Sequence, residues 1–219
     1  MQKITDSREQ ILADIQQTLG RTATSPVAPC PPILSPRVPG SIEQEIAKFL
    51  KEVAALGAYG GQYLPTQLSD ALAELVKKES VTKAVLWNTE RLQKLGVGEK
   101  LRALGVDLVA TDADKFTMAQ ADLGITEADF ALPETGTLGL LSSPTQPRSV
   151  SLLPRVHLAI IHRRTFRADL HSVFAEAKAH RYLIFITGPS RTSDIELIVT
   201  IGVHGPQVLY VWLVDDESK

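Results

Sequence analysis

A stretch near the C-terminal end of the chain concentrates residue types that can bind an anion. It runs Gly188-Pro189-Ser190-Arg191-Thr192-Ser193-Asp194-Ile195-Glu196 and is followed by Gly202-Val203-His204-Gly205-Pro206. Hydroxyl groups and a guanidinium suit a carboxylate or a phosphate, because arginine can bond two oxygens at once. A helix starting near Ser193 would add backbone N–H groups. We predict that the residues that line a site for a small anionic molecule are Gly188, Ser190, Arg191, Thr192, Asp194 and Glu196.

Two residues of this stretch have competing interpretations. Arg191 could instead form a structural ion pair with Asp194 or Glu196, since local ion pairs are common. His204 lies between glycine and proline turns, and it is the one histidine of five that is placed like a site residue. It could donate to an anion or carry a proton, so we predict it as catalytic. A histidine that only bonds the loop backbone fits the pattern nearly as well.

A second polar loop, Pro133-Glu134-Thr135-Gly136-Thr137, lies between two predicted strands. It offers a carboxylate, two hydroxyls and backbone donors, and Gly136 permits a close approach of a ligand. Ligands of open α/β sheets bind beyond the carboxyl ends of strands, so we predict Glu134 as catalytic and Thr135, Gly136 and Thr137 as substrate-binding. A plain hairpin turn with a solvated Glu134 is the alternative. Arg148, in the loop Ser142–Ser149, could reach the same pocket.

The chain of 219 residues divides into three predicted parts. Residues 1–24 contain a helix with a narrow apolar stripe, which we expect to dock on another surface. Residues 25–40 hold six prolines and form a linker, because each proline fixes φ and removes a donor. Residues 41–219 form an α/β domain that begins with a capping box at Ser41 and Gln44.

The pattern within residues 41–219 predicts an α/β fold with a mostly parallel, Rossmann-like sheet flanked by helices. We predict helices after Ser41 and Thr66 and over 90–104 and 169–179. The predicted strands are 81–87, 106–109, 129–132, 137–141, 156–161, 182–186 and 208–214. Among them, 156–161 and 182–186 are apolar throughout, which favours strands buried on both faces.

Composition excludes several classes of protein. A hydrophobic fraction of 44% with 22% charged residues is typical of a globular protein, and a net charge of -2 gives no support to nucleic acid as a partner. The sequence has no apolar run long enough to span a membrane and no signal-peptide layout, so a cytoplasmic location is the default. The one cysteine, Cys30, cannot form an internal disulfide or hold an iron–sulfur cluster alone. No histidine spacing suggests a metal site, and no Gly-x-Gly-x-x-Gly or Walker motif is present.

Four motifs together resemble the lactate utilisation (LUD) domain family, in its short single-domain type. They are Glu134-Thr135-Gly136-Thr137, Ser151-Leu152-Leu153-Pro154 with His157, Gly188 to Glu196, and Gly202 to Pro206. The resemblance covers about residues 40–215. It implies a fold similar to that of ribose-phosphate isomerase, glucosamine-phosphate deaminase and CoA transferases. It also implies a role in oxidising L-lactate to pyruvate alongside two iron–sulfur proteins.

The leading hypothesis is a non-redox subunit of a lactate-oxidising system. Arg191, Ser190 and Thr192 would hold the carboxylate of the substrate, and Glu134 or His204 would take the hydroxyl proton. The chain would bind no cofactor alone, and the iron–sulfur clusters would belong to its partners. The alternatives are a stand-alone isomerase or acyl/CoA-transfer enzyme that uses Glu134 on a phosphorylated or thioester substrate, and a metabolite-sensing scaffold. A homo-oligomer is possible.

Overall fold

The computed structural model describes residues 3–20, 22, 37–180, 182–192 and 200–215. The chain divides into two compact units, Met1–Ser35 and Pro36–Lys219. The first unit contains helix α1, Lys3–Thr18, whose side chains at Ile11, Leu12 and Ile15 are exposed. The docking of its apolar stripe stays a prediction. Most of the predicted linker, residues 25–36, lies outside the described residues.

The second unit contains the remaining helices and all the strands of the described chain. The helices are α2 (Ile42–Ala55), α3 (Leu68–Lys78), α4 (Glu90–Lys94), α5 (Val97–Ala103), α6 (Lys115–Ala119), α7 (Ser149–Leu152) and α8 (Leu170–Ala177), with short 3-10 helices at Pro65–Gln67 and Arg163–Thr165. The strands are β1 (Tyr59–Tyr63), β2 (Lys83–Leu86), β3 (Asp107–Val109), β4 (Leu123–Glu127), β5 (Phe130–Leu132), β6 (Thr137–Ser142), β7 (Val156–Ile161), β8 (Tyr182–Ile186), β9 (Arg191–Thr192), β10 (Thr200–Ile201) and β11 (Val208–Val214).

The main sheet has six strands in the order β1-β11-β7-β4-β2-β3, and every neighbouring pair is parallel. The predicted fold class, a parallel α/β sheet flanked by helices, is confirmed. All six residues of β7 are buried, as predicted for a central strand. The order β3-β2-β4-β7-β11 is a doubly wound arrangement in which the winding reverses between β2 and β4.

A second, antiparallel sheet has the order β5-β6-β8. Its β5–β6 hairpin encloses the loop 133–136, as predicted. The prediction that Tyr182–Ile186 is buried on both faces is wrong, because this strand is at the end of the small sheet. The side chains of Tyr182 and Phe185 are exposed. A short apolar run fits an outer strand as well as a central one, since hydrophobicity alone does not define which neighbours a strand has.

Helix α2 begins and ends where its sequence indicates. The Ser41 side chain accepts a hydrogen bond from the Gln44 N–H, and the Gln44 side chain accepts one from the Ser41 N–H, so the predicted capping box is confirmed. One face of the helix, with Phe49 and Val53, is buried in the core. The helix ends before Gly57, which has a φ of 77°.

The structure adds elements that the pattern did not predict. Strands β1 and β4 were both missed, and β4 is an inner strand of the main sheet. The predicted helical piece over 90–104 is two helices, because Gly96 has a φ of 63° between α4 and α5. No helix among the described residues has the length and apolar composition to cross a membrane.

Candidate functional site

The two predicted polar loops both pack against the last turn of helix α2. A Cβ on Gly136 would lie 2.9 Å from the backbone nitrogen of Val53. A Cβ on Gly188 would lie 3.1 Å from the Cβ of Leu56. Both glycines also have φ values that other residues rarely adopt, 59° and 82°. Glycine at these two positions therefore allows loops from distant parts of the sequence to meet at one helix end.

Threonine hydroxyls join the two loops directly. The Thr137 Oγ1 atom lies 2.7 Å from Thr135 Oγ1 and 2.8 Å from Thr187 Oγ1. Thr137 is buried, whereas Thr135 and Thr187 are exposed. The hydroxyl groups of Thr135 and Thr137 thus bond to each other and to Thr187, and their predicted role in substrate binding stays a prediction.

Arg191 reaches the carboxyl end of helix α2. Its Nη2 donates to the backbone carbonyl of Leu56, the residue that follows the helix. A cation is favourable there because the last carbonyls of a helix carry partial negative charge. This structural contact is a role that the sequence did not reveal. The proposed ion-pair partners Asp194 and Glu196, and the helix expected near Ser193, lie outside the described residues.

Glu134 points to a different part of the same helix. Its Oε1 lies 3.4 Å from Lys48 Nζ and 3.5 Å from Arg37 Nε, and half of its side chain is exposed. Lys48 and Leu56 are eight residues apart, which is roughly 12 Å along a helix axis. The structure therefore does not bring the Glu134 carboxylate to the Arg191 guanidinium, and the catalytic role of Glu134 stays a prediction.

Two further predicted residues have other neighbours. Thr192 belongs to β9 and pairs with Thr200 of β10. The Arg148 guanidinium lies over the ring of Tyr182, with 5.5 Å between its carbon and the ring centre. Neither residue lines the cavity described next.

Three predicted residues, Gly188, Ser190 and His204, meet around one cavity of about 250 Å³. We call it the motif cavity, because segments of three of the motifs form its wall. Its lining residues are Ser151, Leu152, His157, Phe185, Ile186, Thr187, Gly188, Pro189, Ser190, His204, Gly205, Pro206 and Leu209. Its wall is apolar on several sides, with hydroxyl and imidazole groups among the polar members.

Backbone hydrogen bonds hold the two glycine-rich segments of the motif cavity together. The Ser190 N–H donates to the Pro206 carbonyl at 2.9 Å, and the Gly202 N–H donates to the Ser190 carbonyl at 2.9 Å. Gly205 packs so closely that a Cβ there would lie 3.2 Å from the Ser190 Cβ. Ser190 and His204 are thus placed on adjoining segments whose backbones fix each other.

His157 is a site residue whose cavity position the sequence did not predict. It is buried, and its Nε2 lies 2.9 Å from Thr126 Oγ1, while its Nδ1 has no hydrogen-bond partner among the described residues. Burial lowers the pKa of His157 to about 3, so the ring is neutral at pH 7. The signal in the sequence was one polar residue inside the apolar strand Val156–Ile161.

The position of the motif cavity differs from the one expected for a parallel sheet. His157 and Leu209 are each the second residue of their strands, so the cavity lies near the amino ends of β7 and β11. The loop that carries Ser190 follows the carboxyl end of β8, a strand of the antiparallel sheet. This cavity is therefore not at the carboxyl ends of the main sheet, although its Ser190 segment does follow the carboxyl end of a strand, as expected.

Comparison with known proteins identifies the family of this fold. The family model described as LUD domain matches residues 43–214. The "Lactate utilization protein C" of Shouchella clausii is 34% identical over 186 residues, 80% of this chain and 81% of that protein. The protein of the same name from Bacillus subtilis is 33% identical over 168 residues, 69% of this chain and 70% of that protein.

A solved structure shares the fold. The crystal structure of a DUF162 family protein from Deinococcus radiodurans superposes with a TM-score of 0.60 at 21% sequence identity, covering 81% of this chain and 100% of that one. Sequence and fold agree: the chain belongs to the LUD domain family, and its relatives include proteins of the lactate utilization protein C type.

Proposed function

We propose that this chain is the non-redox subunit of a system that oxidises L-lactate to pyruvate together with iron–sulfur partner proteins. Membership of the LUD domain family and the names of the curated relatives support a role in lactate utilisation. The relatives cover most of this chain, and the chain covers most of them, so the role proposed is that of the whole protein.

The sequence itself supports the proposal that the redox groups belong to partner proteins. An iron–sulfur cluster is normally held by several cysteine thiolates, and this chain has one cysteine. It also has no Gly-x-Gly-x-x-Gly motif for a dinucleotide. Oxidation of lactate to pyruvate releases two electrons and two protons, and on this proposal the electrons leave through the partners.

The observation that carries the proposal is the meeting of segments of three motifs around the motif cavity. The Ser190 hydroxyl can donate to a carboxylate at its wall. His157 also lines this cavity, and its buried ring is held by a contact of 2.9 Å between its Nε2 and the Thr126 hydroxyl. The cavity volume, about 250 Å³, accommodates a molecule of the size of lactate.

His204 is the group that we assign to the hydroxyl proton of lactate. It is exposed and lines the motif cavity, so it can exchange protons with water between turnovers. Glu134, the other candidate, has its carboxylate against Lys48 and Arg37 and is absent from the lining of this cavity. The geometry thus favours His204 over Glu134 for the proton transfer.

Reconstitution tests the proposal. The chain is co-expressed with candidate iron–sulfur subunits, and lactate-dependent dye reduction is measured with and without it. We expect reduction to require this chain, and Ser190→Ala to weaken lactate binding by about tenfold, the effect of losing about 1.4 kcal/mol. Ser69→Ala, on an exposed face of α3, is the matched control and should change nothing. Equal dye reduction without the chain, or no binding of lactate or pyruvate, would contradict the proposal.

A further inference from the structure

A second cavity opens at the carboxyl ends of the main sheet, with a volume of about 310 Å³. We call it the carboxyl-edge cavity. It lies where the winding of the sheet reverses, between β2 and β4, and this is where open α/β sheets bind ligands. Three strand ends supply its polar wall: Thr89 after β2, Glu127 and Asp129 around the end of β4, and His162 and Arg164 after β7. It shares no lining residue with the motif cavity.

Arg164 stands out among the arginines that follow β7. Arg163 forms ion pairs with Glu43 and Asp215, and Arg167 forms one with Glu176. Arg164 is exposed and lines the cavity. Among the described residues, its guanidinium forms no ion pair. A planar guanidinium that is free to bond two oxygens is suited to a carboxylate or a phosphate.

His162 adds a neutral donor beside this cation. Its Nδ1 accepts a hydrogen bond from the Arg164 N–H at 3.1 Å, so the proton of the neutral ring is on Nε2. Partial burial and the positive charges of Arg91, Arg164 and Arg167 lower the pKa of His162 to about 4. At pH 7 the ring can therefore donate to a carbonyl or hydroxyl oxygen without adding charge.

Two carboxylates, Glu127 and Asp129, also line this cavity and indicate which other groups the ligand must carry. Glu127 Oε2 accepts from the Thr89 hydroxyl at 2.7 Å, and Asp129 Oδ2 accepts from the Leu141 N–H at 2.7 Å. The other oxygen of Glu127, Oε1, forms an ion pair with Arg91 Nε at 3.9 Å, which is too long for a hydrogen bond, so both carboxylates can still accept from a ligand. The acids and histidines of the described chain form no cluster that could hold a metal ion. Hydroxyl groups suit these acceptors, whereas a bare anion would be repelled by them.

We propose that the carboxyl-edge cavity binds a hydroxylated organic anion larger than lactate, whose oxyanion is held by Arg164 and whose hydroxyl groups donate to Glu127 and Asp129. The volume is at the lower end of the range for ligand pockets, which fits a molecule of about ten heavy atoms. The oxyanion is a carboxylate or a phosphate, since the arginine fork accepts both. This site goes beyond the lactate-binding role proposed above and does not depend on it.

Calorimetry on the full chain tests this site with two probes, D-gluconate for the carboxylate and sn-glycerol 3-phosphate for the phosphate. We expect at least one probe to bind, and the one that binds identifies the oxyanion. Arg164→Gln should weaken that binding at least tenfold. Arg163→Gln is the matched control, because Arg163 pairs with acids and does not line the cavity, and it should leave the dissociation constant unchanged.

Three results would overturn the assignment of this site. They are no binding of either probe, unaltered binding to Arg164→Gln, and an equal loss in Arg163→Gln. Unfolding curves check that Arg164→Gln is folded, which we expect because no described acid depends on this side chain. Ser190→Ala, in the motif cavity, should bind the probe like the wild type, so a failure of the lactate proposal leaves this result interpretable.

Discussion

The Thr137 hydroxyl contacts the Thr187 hydroxyl, with 2.8 Å between the two oxygen atoms. The two residues are fifty positions apart in sequence, one at the start of β6 and the other directly after β8. The contact ties the loop that carries Glu134 to the segment that leads to the motif cavity. Because Thr137 is buried, its hydroxyl depends on such partners.

Removal of either hydroxyl should destabilise the domain. We expect Thr137→Val to lower the free energy of unfolding by about 1 kcal/mol, since a hydrogen-bonded buried hydroxyl is lost. A double-mutant cycle with Thr187→Val, measured by urea unfolding, should give a coupling energy of about 0.5 kcal/mol or more. Strictly additive effects would show that the contact contributes nothing.

Arg191 should contribute to stability through helix α2. Arg191→Ala removes the donor to the Leu56 carbonyl and the positive charge at the helix end, so we expect a loss of about 1 kcal/mol in urea unfolding. Arg191→Lys keeps the charge and should retain part of that stability. An alanine variant as stable as the wild type would remove the capping role and leave the predicted anion-binding role as the reason for this residue.

Gly124 should tolerate no side chain. A Cβ at this position of β4 would overlap the backbone carbonyl oxygen of Val150, at helix α7. We expect Gly124→Ala to cost more than 3 kcal/mol, or to prevent folding, because one of the two backbones must move. Gly98→Ala is the matched control in helix α5, where the nearest neighbours are 3.6 Å away. There we expect a gain of about 0.5 to 1 kcal/mol, since alanine favours helix. Similar effects of the two substitutions would contradict this account of β4.

The neutral state of His157 predicts a dependence of stability on pH. The folded-state pKa is about 3, well below the usual 6.5, so the unfolded chain binds one more proton than the folded chain between these values. The contribution of His157 to the free energy of unfolding is therefore fully present above pH 6.5. It is lost as the pH falls towards 3, at about 1.4 kcal/mol per pH unit midway between the two pKa values. His162 should act in the same direction, with a folded-state pKa of about 4.

The measurement is urea unfolding of the wild type and of His157→Gln between pH 7 and pH 5. Glutamine can keep the bond to Thr126 without titrating. We expect the slope of the unfolding free energy against pH to be smaller in the variant, and the difference should approach one bound proton, about 1.4 kcal/mol per pH unit, near pH 5. Parallel curves for the two proteins would show that His157 is not held neutral.

The variant Glu134→Gln distinguishes a contribution of Glu134 to folding stability from a catalytic role. The carboxylate is half exposed and its ion pairs are on the surface, so we expect the free energy of unfolding to change by less than about 1 kcal/mol. Because the proposal assigns the hydroxyl proton to His204, we expect lactate-dependent dye reduction to be retained; a fall of about a hundredfold or more would instead support the predicted catalytic role of Glu134. Glu43→Gln, another exposed acid on α2, is the control. Full activity of Glu134→Gln would end the interpretation as base or nucleophile.

Local patterns in the sequence predicted the elements that local interactions define. The capping box at Ser41 located the start of α2, and apolar runs located β7 and β11. Strands β1 and β4 were missed because Gly60, Gly61 and Gly124 lower the β propensity of their segments. These strands form because neighbouring strands pair with them, which a single segment cannot reveal.

The sequence also predicted only part of the candidate site. Gly188, Ser190 and His204 were each predicted as site residues, and all three line the motif cavity. The directions of Arg191 and Glu134 could not be predicted, because each contacts a part of α2 that only the tertiary fold brings near. A role for Arg164 could not be predicted from the sequence, because only the strand order shows that the segment after β7 borders a cavity at the reversal of the sheet.

Strand β1 is synthesised long before β11, the strand with which it pairs. Tyr59 pairs with Tyr210, roughly 150 residues further on, and among the described strands β1 has β11 as its one neighbour in the main sheet. During synthesis on the ribosome, β1 therefore remains without β11 until roughly 150 further residues have been made. A nascent chain that stops before Val208 would expose both β1 and the side of β7 that β11 covers, which makes it a substrate for chaperones and proteases.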